Sequence, residues 1–241
     1  MQPSLYVSLS GQIALERRLE TIAHNVANTS TAGYRAEEVK FSTIVSRVPP
    51  NPAAFATAKG NYLSRRTGEL TQTQNPFDIA WRGNAWLSID ANNRQVYTRD
   101  GRMMMTPDGN LQTLNGHAIL DVGGAPITLD PTGGPPTIVD DGTIIQNNQQ
   151  AGVIGLFTIP EDAKLAQFEN SAVIPDQAAE PALDFTSVGV IQGFIERSNV
   201  NPVMEMTRLI SVQRSFEALT NAITTTEAAY IEGIRTLGAT S

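Results

Sequence analysis

Residues 209–237 read LISVQRSFEALTNAITTTEAAYIEGIRTL, and within them Leu209, Val212, Phe216, Leu219, Ile223, Thr226, Tyr230, Gly233 and Leu237 alternate spacings of three and four without a break. A strict seven-residue period keeps one face of a helix turned toward a partner, so the stretch predicts a coiled-coil-like helix with helical neighbours along its length. At about 1.5 Å of rise per residue the stripe runs about 40 Å, longer than most core helices. Asn199 or Asn201 supplies the cap, and Pro202 suits the first turn, where its missing N–H costs nothing. Thr226, Gly233 and the flanking Ala228 and Ala229 bury little apolar surface by themselves. They favour a seam completed by other copies of the chain, with an intramolecular hairpin of terminal helices as the alternative.

The opposite end carries the hairpin's other half. Leu15, Leu19, Ile22 and Val26 are spaced four, three and four apart, while Leu5, Leu9 and Ile13 step by four on a drifting stripe, which predicts one long amphipathic helix. Its stop signal is Asn28-Thr29-Ser30-Thr31-Ala32-Gly33, polar residues that compete for backbone hydrogen bonds followed by a glycine able to take positive φ. Gly33 is therefore expected to end the helix in a conformation that a β-carbon disfavours. Asparagine concentrates at both helix boundaries, at Asn25, Asn28, Asn199 and Asn201; these amides either cap locally or bridge neighbouring subunits.

Between the ends the pattern changes period. Short apolar or alternating runs recur at 86–89, 96–98, 102–106, 118–120, 127–129, 143–145, 153–159 and 188–195, punctuated by Asp100-Gly101, Asn115-Gly116, Gly123-Gly124 and Asp141-Gly142. Such dipeptides supply the positive φ of hairpin turns, so an antiparallel β domain is expected. The Pro- and Ala-rich stretch 49–59 reads as an extended linker or exposed excursion. The expected fold class is α+β. A discontinuous helical domain is drawn from residues 1–35 and 199–241, a linker or excursion spans 36–66, and a central all-β antiparallel domain spans 67–198.

Composition and charge limit the chemistry. Across 241 residues, 17 Lys and Arg face 24 Asp and Glu, a net charge of −7 with no basic cluster longer than Arg65-Arg66, so nucleic acid is not expected as a partner. Cysteine is absent, which excludes disulfides and thiolate chemistry. No run approaches the roughly 18 apolar residues of a membrane span, and no cleavable signal peptide is visible at Met1-Gln2-Pro3-Ser4. Residues 121–190 hold ten carboxylates against Lys164 alone, an acidic and solvated face. His24 and His117, the two histidines, lack metal-ligand spacing, and Asp140-Asp141-Gly142 lacks the alternating ligands of a calcium loop. Neither a nucleophile elbow nor a phosphate-binding glycine loop occurs. No catalytic residue, metal or cofactor is expected.

Two segments carry a family resemblance. Leu5-Tyr6-Val7-Ser8-Leu9-Ser10-Gly11 with Ala23-His24-Asn25-Val26-Ala27-Asn28-Thr29-Ser30-Thr31-Ala32-Gly33-Tyr34-Arg35 resembles the N-terminal signature of bacterial flagellar rod and hook proteins. Asn199-Val200-Asn201-Pro202-Val203-Met204-Glu205-Met206, continuing to Gln213-Arg214-Ser215-Phe216-Glu217-Ala218, is similar to their C-terminal signature. In the middle, Thr67-Gly68-Glu69-Leu70, Asn75-Pro76-Phe77-Asp78-Ile79-Ala80 and Tyr97-Thr98-Arg99-Asp100-Gly101 resemble the family's β-domain core. Trp81-Arg82-Gly83-Asn84-Ala85-Trp86-Leu87 departs from the family's apolar pair followed by Gly-x-Gly-Phe-Phe. The compact length is most like a proximal rod subunit, with the distal rod subunit second; hook proteins carry extra outer domains.

The resemblance implies a structural subunit whose terminal helices form an inner coiled-coil layer with other copies and other rod proteins around an axial channel. It also implies passage through the flagellar type III export apparatus, which needs no cleavable signal, and torque transmission across the periplasm without membrane insertion. The expected assembly interface is Leu5, Leu9, Ile13, Leu15, Leu19, Ile22 and Val26 with Leu209, Val212, Phe216, Leu219, Ile223, Tyr230 and Leu237. The helix-boundary turns are Asn25, Asn28, Gly33, Asn199, Asn201 and Pro202. In a free monomer both helical ends are expected to be disordered beside a folded middle. A glycan-binding β-domain protein of the periplasm or surface is the alternative outside the family.

Overall fold

A computed structural model describes residues 2–46 and 53–238. The chain has an N-terminal helix, a mostly antiparallel β region and a C-terminal helix, an α+β fold that divides into two units. The helical unit takes residues 1–27, 37–62 and 201–241; the β unit takes 28–36 and 63–200.

The helical unit is built on α1 (Gln2–Ala27) and α2 (Pro202–Gly238). The two pack on one another. Gly11 of α1 lets that approach be close, because a β-carbon there would come within 3.3 Å of the Leu219 side chain. Ala14 and Ile22 of α1 and Val212 of α2 are buried. Helix pairing of this kind supplies most of the stability of elements whose intrinsic propensity is marginal, and α2 carries several threonines. Five of its threonines, at 207, 220, 224, 225 and 226, turn their hydroxyls back onto the carbonyl four residues earlier, so they satisfy themselves on the helix.

Residues 36–66, expected as a linker or extended excursion, contain two strands. Glu37–Ser46 forms β1 and Ala53–Leu63 forms β2, paired in a two-stranded sheet that belongs, apart from its last residue, to the helical unit. The start of β1 is bonded to the end of β2: Asn61 Nδ2 donates to Glu37 Oε1 at 2.6 Å and the Tyr62 hydroxyl to Glu38 Oε2 at 2.5 Å. The run Val39-Lys40-Phe41-Ser42-Thr43-Ile44-Val45 has strand composition, and the adjacent prolines and alanines masked it in the sequence reading. Residues 49–52 of the expected excursion lie outside the described residues.

In the β unit, the widest sheet runs in the order Leu165–Phe168, Ala172–Pro175, Gln95–Thr98, Trp86–Asp90, Ala118–Ile119, Leu111–Thr113 and Met103–Met105, with Leu156–Thr158 also paired to Trp86–Asp90. Its central register sets Leu87 opposite Thr98 and Ile89 opposite Val96. Successive residues of a strand point to opposite faces, and here both faces are covered. Leu87, Ile89 and Val96 enter a large core with Ile79, Leu111, Ile119, Ile144 and Ile154, while Trp86 and Tyr97 enter a second with Leu63, Phe157, Ile159 and Val173. Burying each of these large side chains is worth about 1.5–3 kcal/mol, and the Tyr97 and Phe157 rings meet edge-on at 5.4 Å.

Several expected strands are placed differently. The run 153–159 is broken: Gln149–Val153 and Leu156–Thr158 lie in different sheets, because the Ile154 and Gly155 amides turn to the carbonyls of Gly142 and Leu120. The run 188–195 is likewise two strands, Gly189–Gln192 on Ile79–Arg82 and Phe194–Glu196 on Leu70–Gln72. Residues 127–129 make single bridges rather than a strand, with the Ile127 carbonyl accepting from Leu111.

Candidate assembly interface

The terminal turn is the first place where sequence and structure differ in role. Helix α1 ends at Ala27, and Gly33 lies six residues beyond it in the β unit, so Gly33 does not end the helix. It does hold a positive φ of 69°. Its amide donates to the Glu196 carbonyl at 2.8 Å, and a β-carbon would fall 2.2 Å from the Asp100 nitrogen.

The boundary asparagines all bond within the chain. Asn25, buried in the helical unit, accepts from the Glu37 amide and donates to the Glu37 carbonyl, each at 2.9 Å, closing the last turn of α1 onto the start of β1. Asn28 closes its own turn, its carbonyl accepting from the Thr31 amide and its side-chain oxygen from the Thr31 hydroxyl. In the β unit Asn199 accepts from the Ala36 amide and donates to the Arg66 carbonyl, both at 2.7 Å. Asn201 is the cap of α2: its side-chain oxygen accepts from the Met204 amide at 3.1 Å, and Pro202 is the first helical residue. Asn25→Ala should cost the helical unit about 2 kcal/mol, since it orphans a buried N–H and C=O together; thermal unfolding followed by helix circular dichroism checks this, and an unchanged midpoint contradicts it.

The expected apolar stripe is divided. Ile22 and Val212 are buried, and Leu15, Leu19, Val26, Leu209, Phe216, Leu219 and Ile223 are half-buried. Leu9, Ile13 and Tyr230 stand exposed, as does Leu237 at 77%; Ile234, beside the stripe, is 71% exposed. The side chain of Leu5 lies outside the described residues. The single chain thus uses the stripe as far as Ile223 and leaves Leu9 and Ile13 of α1 and the last turns of α2 facing water.

Histidine chemistry stays modest. His24 lies 3.8 Å from Glu37 and is largely exposed; His117 Nε2 sits 3.0 Å from the Glu169 carboxylate. Among the described residues no set of three His, Cys, Asp or Glu side chains gathers as a metal site would require, and no helix is long and apolar enough to cross a membrane.

Sequence reasoning missed an ionic centre in the β unit. Glu196, fully buried, accepts from Arg99 Nε at 2.7 Å and from the Gly68 amide at 2.8 Å, and Arg35 Nη2 lies 2.9 Å away. Arg99 also donates to the carbonyls of Gly83 and Ala85, and Arg35 to that of Arg66. Both guanidinium carbons lie 5.8 Å from the centre of the Trp86 ring. Burial and then the neighbouring Arg99 charge push Arg35 down to about 10, with Glu196 pulling the other way; burial also lowers Arg99 against the same opposition. One carboxylate thus serves two buried guanidiniums. The available signal was that Arg35 and Arg99 each stood inside a quoted motif, with Glu196 just before another.

The two terminal segments are also where the chain matches family models: "Flagella basal body rod protein" over residues 5–35 and "Flagellar basal body rod FlgEFG protein C-terminal" over 191–228. Over its whole length the chain is 49% identical to the flagellar basal-body rod protein FlgF of Mesorhizobium japonicum, covering 100% of both chains. The chain belongs to the FlgF family of flagellar basal-body rod proteins. It is 41% identical to FlgF of Rhizobium meliloti and 32% identical to FlgF of Caulobacter vibrioides, with 99% of each chain covered in both comparisons. As a FlgF-family member it is a structural component of the flagellar basal body, alongside other rod components, and not an enzyme.

Proposed function

We propose that this chain is a proximal subunit of the rod, joining other copies and other rod proteins through its terminal helices into a helical tube that carries motor torque across the periplasm. It reaches that place through the flagellar type III export apparatus. The observation that carries the reading is the unused part of the apolar stripe: Leu9 and Ile13 on α1, and Tyr230 and Leu237 on α2, are all exposed in the single chain. Covering the apolar area still exposed stabilises at about 25 cal/mol per Å², and the seven-residue period on α2 suits coiled-coil neighbours.

Leu237→Asp tests this with little effect on the chain itself. Because Leu237 is exposed, the purified variant should unfold at the wild-type temperature, while cells carrying it should lose rod assembly and motility. Swimming at the wild-type rate would exclude this end of α2 from the interface.

A further inference from the structure

The buried ionic centre joins distant parts of the chain. Glu196 lies 97 residues after Arg99 and farther still after Arg35. Its backbone is no less engaged: its carbonyl accepts from Gly33, and its strand, Phe194–Glu196, pairs with Leu70–Gln72 so that Glu196 faces Leu70. Without this residue two guanidiniums would be enclosed with no countercharge, Gly68 and Gly33 would lose the acceptors of their amides, and Leu70–Gln72 would lose its partner strand. An uncompensated buried cation is among the costliest defects a core can carry. The Nε of Arg35 already lacks a hydrogen-bond partner, and the Nη2 of Arg99 lies 2.6 Å from Glu196 without the alignment of a hydrogen bond; among the described residues, Glu196 is the carboxylate paired with both guanidiniums.

We propose that Glu196 is the closing element of the β unit: docking of its carboxylate between Arg35 and Arg99 occurs in the rate-limiting step of folding, so the unit cannot close until the chain as far as residue 196 is present. A chain still being made or moved, with its end not yet released, would hold Arg35 and Arg99 open to solvent and stay unfolded. This conclusion concerns the order of folding and is independent of the rod reading.

Refolding kinetics of the full chain test it, with tryptophan fluorescence as the probe, since Trp86 lies beside both arginines and Trp81 is buried in the same unit. If Glu196 acts in the folding transition state, Glu196→Gln should slow refolding at least about tenfold and leave unfolding nearly unchanged, whereas a residue that only stabilises the finished fold would speed unfolding instead. The triple variant Arg35→Met, Arg99→Met, Glu196→Met removes the need for charge matching and should refold faster than wild type by several-fold. It also decides the matter if Glu196→Gln fails to fold. Wild-type refolding rates in the triple variant, or a Glu196→Gln effect confined to unfolding, overturn the proposal.

Discussion

Gly33→Val is expected to unfold the β unit at denaturant concentrations where the wild type is intact. A β-branched residue held at a φ of 69° carries about 1–3 kcal/mol of backbone strain. The added β-carbon would also lie 2.2 Å from the Asp100 nitrogen and 2.4 Å from the Arg99 carbonyl carbon, backbone atoms that cannot swing aside as a side-chain tip would. Moving them disturbs Arg99 and hence the ion cluster, and overpacking of that sort costs about 1–3 kcal/mol more. Together these approach half of an ordinary domain's stability of about 5–15 kcal/mol. Trp81 and Trp86 are both buried in this unit, so a urea titration followed by tryptophan fluorescence reads the loss directly. Gly33 belongs to the β unit, so the damage falls there. A wild-type midpoint in Gly33→Val would mean that the backbone at Asp100 yields freely.

How much was legible depended on whether a local pattern carried the information. The period of three and four on α2 and the Asn201-Pro202 start are properties of neighbouring residues, and the helix begins where they placed it. Turn dipeptides marked hairpins for the same reason at Asn115-Gly116 and Asp141-Gly142, the latter closing the turn before Thr143–Gln146 with Gly142 at a φ of 86°, but not at Asp100-Gly101, whose flanking strands Gln95–Thr98 and Met103–Met105 do not pair. Long-range pairing was not legible. The strand Ile79–Arg82 shows no alternation because three of its four residues are buried, and a strand covered on both faces reads as a plain apolar run. Leu156–Thr158 could not be separated from Gln149–Val153, since the break at Gly155 is made by the Leu120 carbonyl, more than thirty residues earlier in the chain. The ion centre was hidden for the same reason. Arg35, Arg99 and Glu196 look like ordinary charges in a chain with few of them, and only the fold shows that all three are enclosed. At the candidate interface the sequence identified the stripe but could not divide it between contacts inside the chain and contacts beyond it.

That division sets the expected behaviour of Phe216→Asp. Phe216 is half-buried on α2, one turn from the buried Val212 and close to Leu219, which meets α1 at Gly11. A carboxylate there should cost the helical unit of the isolated chain about 2 kcal/mol, a figure reduced from the full penalty for a buried charge because part of the side chain reaches water. Limited proteolysis separates the consequences. With α1 packed on α2, dilute wild-type chain should be trimmed only in the last turns of α2, where Tyr230, Ile231, Ile234 and Leu237 stand exposed, and not from both ends back to the β unit as disordered helices would be. Phe216→Asp should extend trimming toward residue 201, whereas Leu237→Asp should leave the wild-type pattern. Both variants should abolish motility, the first by spoiling the helix pair and the seam together, the second by spoiling the seam alone. If Phe216→Asp loosens the helical unit yet cells still swim, the stripe is an internal contact of the chain and assembly runs through another surface.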